Sequence, residues 1–264
     1  MDLAYLIATG GEAYREAVSI AVRSLRRIGR FAGEIVVFSD RQFPLPRGVE
    51  LELLAPHEVS RPTLKCHTGR SLPLERYQRV LYLDSDIVVR APLEPLLARC
   101  ATGRLVCTDD MGAKAGWDWF SKCFSPPELL RFGDLPGLNA GFFCAEGARL
   151  REWLTAWESM ICACAGCPGS GIDQPPFNAA IRRGLIPVEW VPEQMWFPHH
   201  HPLAPDLAGR DTEAWLRTRH SAPLAHFTGT GVRPEQLQQM SNEYARQVLS
   251  GPLRALAASD QAPR

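Results

Sequence analysis

The chain has 264 residues, of which 45% are hydrophobic, and its 29 basic and 29 acidic residues give a net charge of zero at pH 7. This length is enough for one large domain or two small ones, and the balanced charge gives no electrostatic reason to expect a nucleic-acid partner. The longest apolar runs are well short of the roughly 20 residues that cross a bilayer, and no basic segment followed by an apolar stretch opens the sequence. We therefore expect no transmembrane segment and no signal peptide, and a cytoplasmic location.

The first part of the sequence alternates between apolar runs and one helical pattern. We expect strands at 3–8, 34–39 and 49–54, and a helix at 12–28 with an apolar stripe. This order predicts an α/β protein with a mostly parallel sheet flanked by helices. The glycine-rich turn before the helix could meet a nucleotide through its backbone NH groups, although most such turns are only turns. Tyr14 could stack on a base or pack in the core, and the stripe favours packing.

A basic segment at 62–74 contains Lys65, His67 and Arg70. A helix there would place Lys65 a little more than one turn from Arg70. Such cations could approach a diphosphate, but the residues alone favour a solvated basic face.

The run from Arg79 to Val89 is the most informative part of the chain. A stretch rich in Val, Leu and Tyr predicts a buried strand, and it is followed by Asp84, Ser85 and Asp86 before the sequence turns apolar again. The carboxyl ends of strands are where open α/β sheets bind their ligands. Two carboxylates one residue apart can share a hard divalent cation whose coordination is completed by phosphate oxygens. The motif therefore indicates a metal–diphosphate site, and the alternative is a solvated acidic turn.

The second half of the sequence continues the alternation of strands and helices. We expect a short helix at 92–98, strands at 105–108, 142–145 and 186–191, helices at 148–162 and from about 173 to 183, and a terminal helix at 241–249. Trp117 and Trp119 lie in a predicted loop or broken helix, where they fit a sugar-binding surface as well as a satellite core. Asp173 would lie at a helix N-terminus, where a carboxylate is favoured as a cap.

Cysteine and histidine residues offer weaker signals. Several of the eight cysteines lie in apolar runs, as reduced core cysteines do. Cys162, Cys164 and Cys167 could hold zinc or end a helix of small residues, but no second Cys/His pair follows at finger-like spacing. The side chains of His199–His201 would point in different directions in an extended chain and could not easily share one ion. His226 lies in a small, glycine-rich segment that would let it reach a ligand, although a lone histidine is usually structural.

Four motifs together resemble family 8 glycosyltransferases, which include glycogenin and bacterial lipopolysaccharide glucosyl- and galactosyltransferases. In chain order they are Leu83-Asp84-Ser85-Asp86, Asn139-Ala140-Gly141, Asp173-Gln174 and His226-Phe227-Thr228-Gly229. The resemblance extends over roughly residues 3 to 234, and its specificity comes from the order and spacing of the four motifs.

The resemblance implies a single GT-A domain over residues 1–264, with a nucleotide-binding part at about 1–110, an acceptor-side part at about 111–240 and a C-terminal helix at about 241–250. It implies transfer of glucose or galactose from a UDP-sugar, with retention at the anomeric carbon, to a glycan, lipid-linked or protein hydroxyl. The implied cofactor is Mn²⁺, with Mg²⁺ as a possible substitute.

The resemblance also implies roles for individual residues. Asp84, Asp86 and His226 would bind the metal, and Asp173 or Gln174 would lie beside the reacting face of the sugar. The residues implied in donor binding are Ala8, Gly10, Tyr14, Lys65, Ser85, Asn139, Gly229 and Arg233. Arg233 marks a departure, because the family often has Lys-Pro-Trp where this chain has Arg233-Pro234; arginine also binds phosphate well.

Retention allows two mechanisms. A covalent glycosyl-enzyme needs a carboxylate close to the anomeric carbon, which Asp173 could supply. Front-face attack instead uses the leaving phosphate as the base, with Asp173 only positioning the sugar, and we favour this route.

Two other classes of protein remain as alternatives. Aspartyl phosphatases of the haloacid-dehalogenase type also place Asp-x-Asp after an apolar strand, but there the motif normally opens the fold, whereas about 80 residues precede it here. A non-catalytic nucleotide-sugar-binding or scaffolding protein would have a degenerate site. The intact set of Asp84, Asp86 and His226 argues against degeneracy without proving turnover.

Overall fold

The computed structural model describes residues 1–58, 63–113, 122–164, 173–197 and 221–227. The strands are β1 (Asp2–Ala8), β2 (Glu34–Ser39), β3 (Glu50–Leu53), β4 (Arg79–Leu83), β5 (Ile87–Val89), β6 (Leu105–Ala113), β7 (Pro136–Glu146), β8 (Val188–Val191), β9 (Met195–Trp196) and β10 (Leu224–His226). The helices are α1 (Glu12–Arg27), α2 (Leu64–Ser71), α3 (Glu94–Leu97), α4 (Pro126–Phe132), α5 (Gly147–Ala163) and α6 (Gln174–Arg182), with 3-10 turns at Leu74–Arg76 and Ala98–Thr102.

Seven strands form one large sheet in the order β3-β2-β1-β4-β7-β6-β8. All neighbouring pairs are parallel except those of β7, which runs antiparallel to both β4 and β6. The prediction of a mostly parallel sheet flanked by helices is confirmed. The direction of β7 was not predicted, because a strand buried on both faces has the same apolar pattern in either direction.

The large sheet has a packed layer on each face. Consecutive strand residues alternate between the two layers, so that Tyr82 joins one cluster and Leu81 the other, and Phe143 and Phe142 do the same. The first cluster includes side chains of α2, α5 and α6, and the second includes those of α1 and α3. Full burial of one large apolar side chain contributes about 1.5–3 kcal/mol to stability. Because a shift of one residue would move every side chain of a strand to the other face, the alternation fixes which face of each strand meets which helices.

A second sheet of three strands, in the order β5-β10-β9, begins where β4 ends. After Leu83 the chain turns through Asp84–Asp86 and enters β5, which pairs with β10 in antiparallel fashion and places Ile87 opposite His226. The acidic motif is therefore the crossover between the two sheets.

Helix α1 packs against both sheets. Val18 and Leu25 join the core of the large sheet, whereas Ile20 packs with Val88 and Ala225 of the small one. The backbone NH of Val89 also donates to the Ser24 hydroxyl at 2.9 Å. Because one helix supports both sheets, the geometry of their junction is held from outside the motif itself.

Three local expectations were wrong. Strand β6 runs on through Asp109 and Asp110 instead of ending before them, and Asn139 and Gly141 lie inside β7 instead of leading into it. Asn, Asp and Gly are depleted in strands, and here pairing with neighbouring strands overrides that preference. Tyr14 lies in the first turn of α1 and is 53% exposed, so it does not pack in the core as expected.

Several sequence-based expectations lie outside the described residues. They concern Trp117, Trp119, Cys167, His199–His201, Gly229, Arg233 and the C-terminal helix at about 241–250. Among the residues that are described, no helix combines the length and the apolar character needed to span a membrane.

Candidate metal centre and active site

Asp84, Asp86 and His226 converge at the junction of the two sheets, and one ligand atom from each lies within 4.8 Å of the others. Asp84 follows β4, and its backbone NH donates to the carbonyl of Gly141 at 2.8 Å. Asp86 precedes β5, and its carbonyl accepts from the NH of Phe227 at 3.0 Å. His226 is the last residue of β10, not part of a loop as its glycine-rich sequence context indicated. Backbone hydrogen bonds of both sheets therefore bring the three side chains together.

The imidazole of His226 faces both carboxylates. Its Nε2 lies 3.2 Å from Asp86 Oδ1 and 3.7 Å from Asp84 Oδ2, and its Nδ1 is buried with no hydrogen-bond partner among the described residues. Burial, partly offset by the charge of Lys65, raises the pKa of Asp84. Burial acts in the same direction on Asp86, but the contact with His226 outweighs it and lowers the pKa of that carboxyl. Asp84 and Asp86 each place a carboxylate oxygen within 4.8 Å of the other, and two carboxylates at this separation favour a nearby cation.

Gly141 lets His226 and Asp84 approach the backbone of β7 closely. A Cβ at this position would lie 2.5 Å from His226 Cε1 and 2.6 Å from Asp84 Oδ2, which is too close for any side chain. Two carboxylates and one imidazole are a suitable donor set for a divalent cation such as Mn²⁺, and they leave coordination positions for other ligands. The donor set and the close approach of two of its side chains to Gly141 both fit a metal centre.

Lys65 links the acidic motif to the start of α6. Its Nζ lies 3.0 Å from Asp84 Oδ1 and 2.8 Å from Asp173 Oδ2, and it donates to the carbonyl of Ala140 at 3.2 Å. Burial by itself would lower the pKa of Lys65, but the charges of Asp173 and Asp84 outweigh burial and raise it. The expectation of a solvated basic face is therefore wrong for Lys65, which is a partly buried, paired cation.

Asp173 occupies the N-cap position of α6, but its side chain makes no capping hydrogen bond. The carboxylate turns to Lys65 instead, while the Asp173 carbonyl accepts from Trp157 Nε1 at 3.0 Å. The interpretation of Asp173 as a helix cap is therefore wrong, and its side chain belongs to the site.

The buried Asn139 and Asp110 and the half-buried Gln174 form a hydrogen-bonded network beside Gly141. The Asn139 amide oxygen accepts from the NH of Gly141 at 2.8 Å, and the Gln174 amide oxygen accepts from the NH of Ala140 at 3.1 Å. Both side-chain amides donate to the Asp110 carboxylate, Gln174 at 2.6 Å and Asn139 at 3.5 Å. The network fixes the orientation of both amides.

Asp110 is a site residue that the sequence reasoning missed. Its side chain is only 7% exposed, whereas the neighbouring Asp109 accepts from the NH of Glu193 at 2.8 Å. The register of β6 against β7 shifts between Cys107 and Asp109. Continuing the in-and-out alternation of the strand through Asp109 and Asp110 would therefore not have shown which of the two side chains is buried. The available signal was the doublet itself, since adjacent acidic residues after an apolar strand invite a ligand-binding interpretation.

The residues expected to bind the nucleotide lie at the carboxyl ends of β1 and β4. Gly10 has φ +98°, a conformation that favours glycine, and its NH donates to Asp40 Oδ2 at 3.3 Å. Tyr14 presents an exposed ring next to Gly10, with ring carbons 3.4 and 3.5 Å from the position that a Gly10 Cβ would occupy. Ala8 and Ser85 are buried, and the Ala8 carbonyl accepts from the Ser39 hydroxyl at 2.8 Å.

The whole structure is similar to solved glycosyltransferases. An active-site mutant of LgtC in which a glutamine is replaced by glutamate matches with a TM-score of 0.61 and 14% identity, over 92% of this chain and 96% of that one. The galactosyltransferase LgtC in complex with donor and acceptor sugar analogues matches with a TM-score of 0.58 and 16% identity, over 92% of this chain and 96% of that one. The bifunctional glycosyltransferase WbbM, in its apo form, matches with a TM-score of 0.62 and 15% identity, over 98% of this chain and 51% of that one.

No protein-family model matches the sequence, and no curated protein matches it either. The structural matches nevertheless extend over nearly the whole chain. They confirm the expected resemblance to family 8 glycosyltransferases at the level of the fold: the chain has a GT-A fold.

Proposed function

We propose that this chain is a metal-dependent retaining glycosyltransferase that moves glucose or galactose from a UDP-sugar to an acceptor hydroxyl. The observation that carries the proposal is the convergence of Asp84, Asp86 and His226 around Gly141, at the sheet junction of a GT-A fold. The acceptor that we propose is a glycan, a lipid-linked sugar or a protein hydroxyl.

Asp84, Asp86 and His226 would hold the metal, which we propose to be Mn²⁺, with Mg²⁺ as a possible substitute. When bound, the ion would act as a Lewis acid that neutralises the charge developing on the departing UDP. Lys65 supports this arrangement from the protein side, because it holds Asp84 and Asp173 in fixed positions and keeps a positive charge beside the acidic motif.

Asn139, Asp173 and Gln174 would line the donor sugar. Their side chains are held by Gly141 NH, Lys65 and Ala140 NH respectively, so they would meet the sugar already oriented and would lose little freedom on binding. LgtC also has a glutamine in its active site, as the name of its mutant states, and we propose that Gln174 is the glutamine at the reacting face of this chain.

The ion pair between Lys65 and Asp173 favours front-face attack over a covalent intermediate. A carboxylate oxygen that is 2.8 Å from an ammonium group has its lone pairs engaged by that cation and is thereby a weaker nucleophile. We therefore propose that Asp173 positions the sugar, and that the leaving phosphate takes the proton of the acceptor hydroxyl.

The uridine would lie at the carboxyl end of β1, against the backbone of Ala8 and Gly10. The exposed ring of Tyr14 is available there for stacking on a base. We further propose that Ser85, Gly229 and Arg233 contact the donor. LgtC has been solved with donor and acceptor sugar analogues bound, which supports a proposal in which both substrates meet in one site.

The phosphatase alternative has little support. Four strands, β1 to β4, precede the acidic motif, and an imidazole from a second sheet completes the cluster. The non-catalytic binding protein shares the whole geometry with an enzyme, and only an activity measurement separates the two.

The test is UDP release from a panel of UDP-sugars, with Mn²⁺ and with EDTA. We would compare the wild type with Asp86→Ala and, as a matched control, with Asp134→Ala, which removes an exposed carboxylate from the turn between α4 and β7. We expect slow release from one UDP-hexose that is lost with EDTA and in Asp86→Ala but kept in Asp134→Ala. UDP binding without release would favour the non-catalytic alternative, and neither binding nor release with any sugar would overturn the nucleotide-sugar assignment.

A further inference from the structure

The carboxylate of Asp84 has a buried partner that the proposed function does not use. The Tyr82 hydroxyl donates to Asp84 Oδ1 at 2.5 Å. The two residues are two positions apart, so a strand would present both on one face, and the Tyr82 side chain is only 1% exposed. This hydrogen bond therefore reaches the acidic motif from inside the core.

The ring of Tyr82 is fixed by its neighbours. It stacks on Phe143 with centroids 5.0 Å apart and packs against Tyr5 at 4.9 Å, and Lys65 Nζ lies 5.0 Å from its centroid. The phenol is thus a hydrogen-bond donor that its neighbours hold in a fixed orientation.

The two oxygens of Asp84 have different surroundings. Oδ1 accepts from Tyr82, whereas Oδ2 faces His226 Nε2 at 3.7 Å and lies only 2.6 Å from the position that a Gly141 Cβ would occupy. Lys65 Nζ is within reach of both, at 3.0 Å from Oδ1 and 3.2 Å from Oδ2. Without the Tyr82 hydroxyl, the carboxylate would be free to rotate toward Lys65 and away from His226.

We propose that Tyr82 is a positioning residue for the metal centre: its hydroxyl holds Asp84 Oδ1 so that Oδ2 remains directed toward His226. This inference rests on the proposed function, since it assumes that Asp84 is a metal ligand. Hydrogen-bond partners of metal ligands typically account for about 10- to 100-fold in metal affinity.

The test is the dissociation constant of Mn²⁺, measured by electron paramagnetic resonance in the absence of any sugar nucleotide. Tyr82→Phe keeps the stacked ring and removes only the hydroxyl, and we expect it to weaken Mn²⁺ binding about tenfold or more. The matched control is Tyr5→Phe, which removes another buried hydroxyl from the same aromatic cluster. The Tyr5 hydroxyl donates to the backbone carbonyl of Lys65 at 3.3 Å and not to Asp84, so we expect no change in affinity.

The outcomes separate this inference from the proposed function. A wild type that binds no Mn²⁺ would contradict the metal centre itself. Wild-type binding with equal affinity in Tyr82→Phe, or equal losses in both tyrosine variants, would overturn only the positioning role.

A crystal structure of the wild type with Mn²⁺ gives a second measurement that needs no variant. We expect the Tyr82 hydroxyl to donate to one oxygen of Asp84 while the other binds the metal, and a hydroxyl directed elsewhere would overturn the role as well.

Discussion

The positions of His226 and Asp84 in the candidate metal centre depend on the absence of a side chain at Gly141. Because a Cβ there would lie 2.5 Å from His226 Cε1 and 2.6 Å from Asp84 Oδ2, Gly141→Ala must displace at least one proposed ligand. We expect Mn²⁺ affinity to fall by about tenfold or more, measured by titration with electron paramagnetic resonance detection.

The control for this variant is Gly11→Ala, because a Cβ at Gly11 meets nothing within 4 Å. It adds the same methyl group and should leave Mn²⁺ affinity unchanged. Wild-type affinity in a folded Gly141→Ala protein would show that the ion does not bind between Asp84 and His226.

Asp173 distinguishes the two mechanisms of retention. If it only positions the sugar, Asp173→Asn keeps the shape of the side chain and should lower turnover by about 100-fold at most. Loss of a covalent nucleophile can cost on the order of 10⁴- to 10⁶-fold. The measurement is kcat with the donor identified by UDP release, with Asp134→Asn as a surface control. A loss in the larger range, with Mn²⁺ affinity unchanged, would favour the glycosyl-enzyme over front-face attack.

At the scale of elements, the start of α4 carries a pH-dependent contribution to stability. Glu128 accepts from Arg183 Nε at 2.7 Å and from the backbone NH of Ser125 at 2.8 Å. The contact with Arg183, followed by that with Ser125, lowers the pKa of Glu128 to about 2. Because this pKa lies below the ordinary value of 4.5, the ionised form stabilises the fold above about pH 4.5, and this stabilisation is lost as the pH falls toward 2.

We therefore expect Glu128→Gln to reduce the free energy of unfolding at pH 7 and to reduce its change between pH 5 and pH 3. The measurement is urea denaturation at a series of pH values. Glu152→Gln is a suitable control, because the Glu152 side chain is 71% exposed and comes no closer than 3.9 Å to its partner Arg149. A pH dependence identical to that of the wild type would show that the Glu128 carboxylate contributes no stabilisation in this window.

The individual helices and strands were largely predictable from the sequence, but the pairing of the strands was not. The apolar runs and the helical stripe predicted β1, α1, β2 and β4 nearly to the residue, because burial imposes a local period on the sequence. Packing between segments that are distant in the sequence decides which strands pair. For this reason the antiparallel direction of β7 and the second sheet were not predicted. Lys65 and Asp173 were each given a local interpretation, as solvated face and helix cap, because nothing local reveals an ion pair between α2 and the start of α6.

At the scale of the whole molecule, the candidate site exists only because two sheets meet. Asp84 is fixed by the pairing of β4 with β7, and His226 by the pairing of β10 with β5, while α1 packs on both sheets. The three proposed metal ligands were predicted together only through the resemblance, which supplied the long-range contact that spacing cannot show. Asp110 belongs to none of the four motifs, and only the assembled fold brings it beside Asn139 and Gln174. Tyr82 lies in the run that carries the acidic motif, but its hydrogen bond to Asp84 became visible only in the structure.

The most direct test of this account is anomalous scattering from a crystal of the wild type soaked with Mn²⁺ and UDP. We expect one strong manganese peak in contact with Asp84, Asp86 and His226, with the diphosphate of UDP on its open side. Bound UDP with no manganese peak at these three residues, or with the peak at another site, would contradict the proposal that the two sheets meet to build a metal–diphosphate centre.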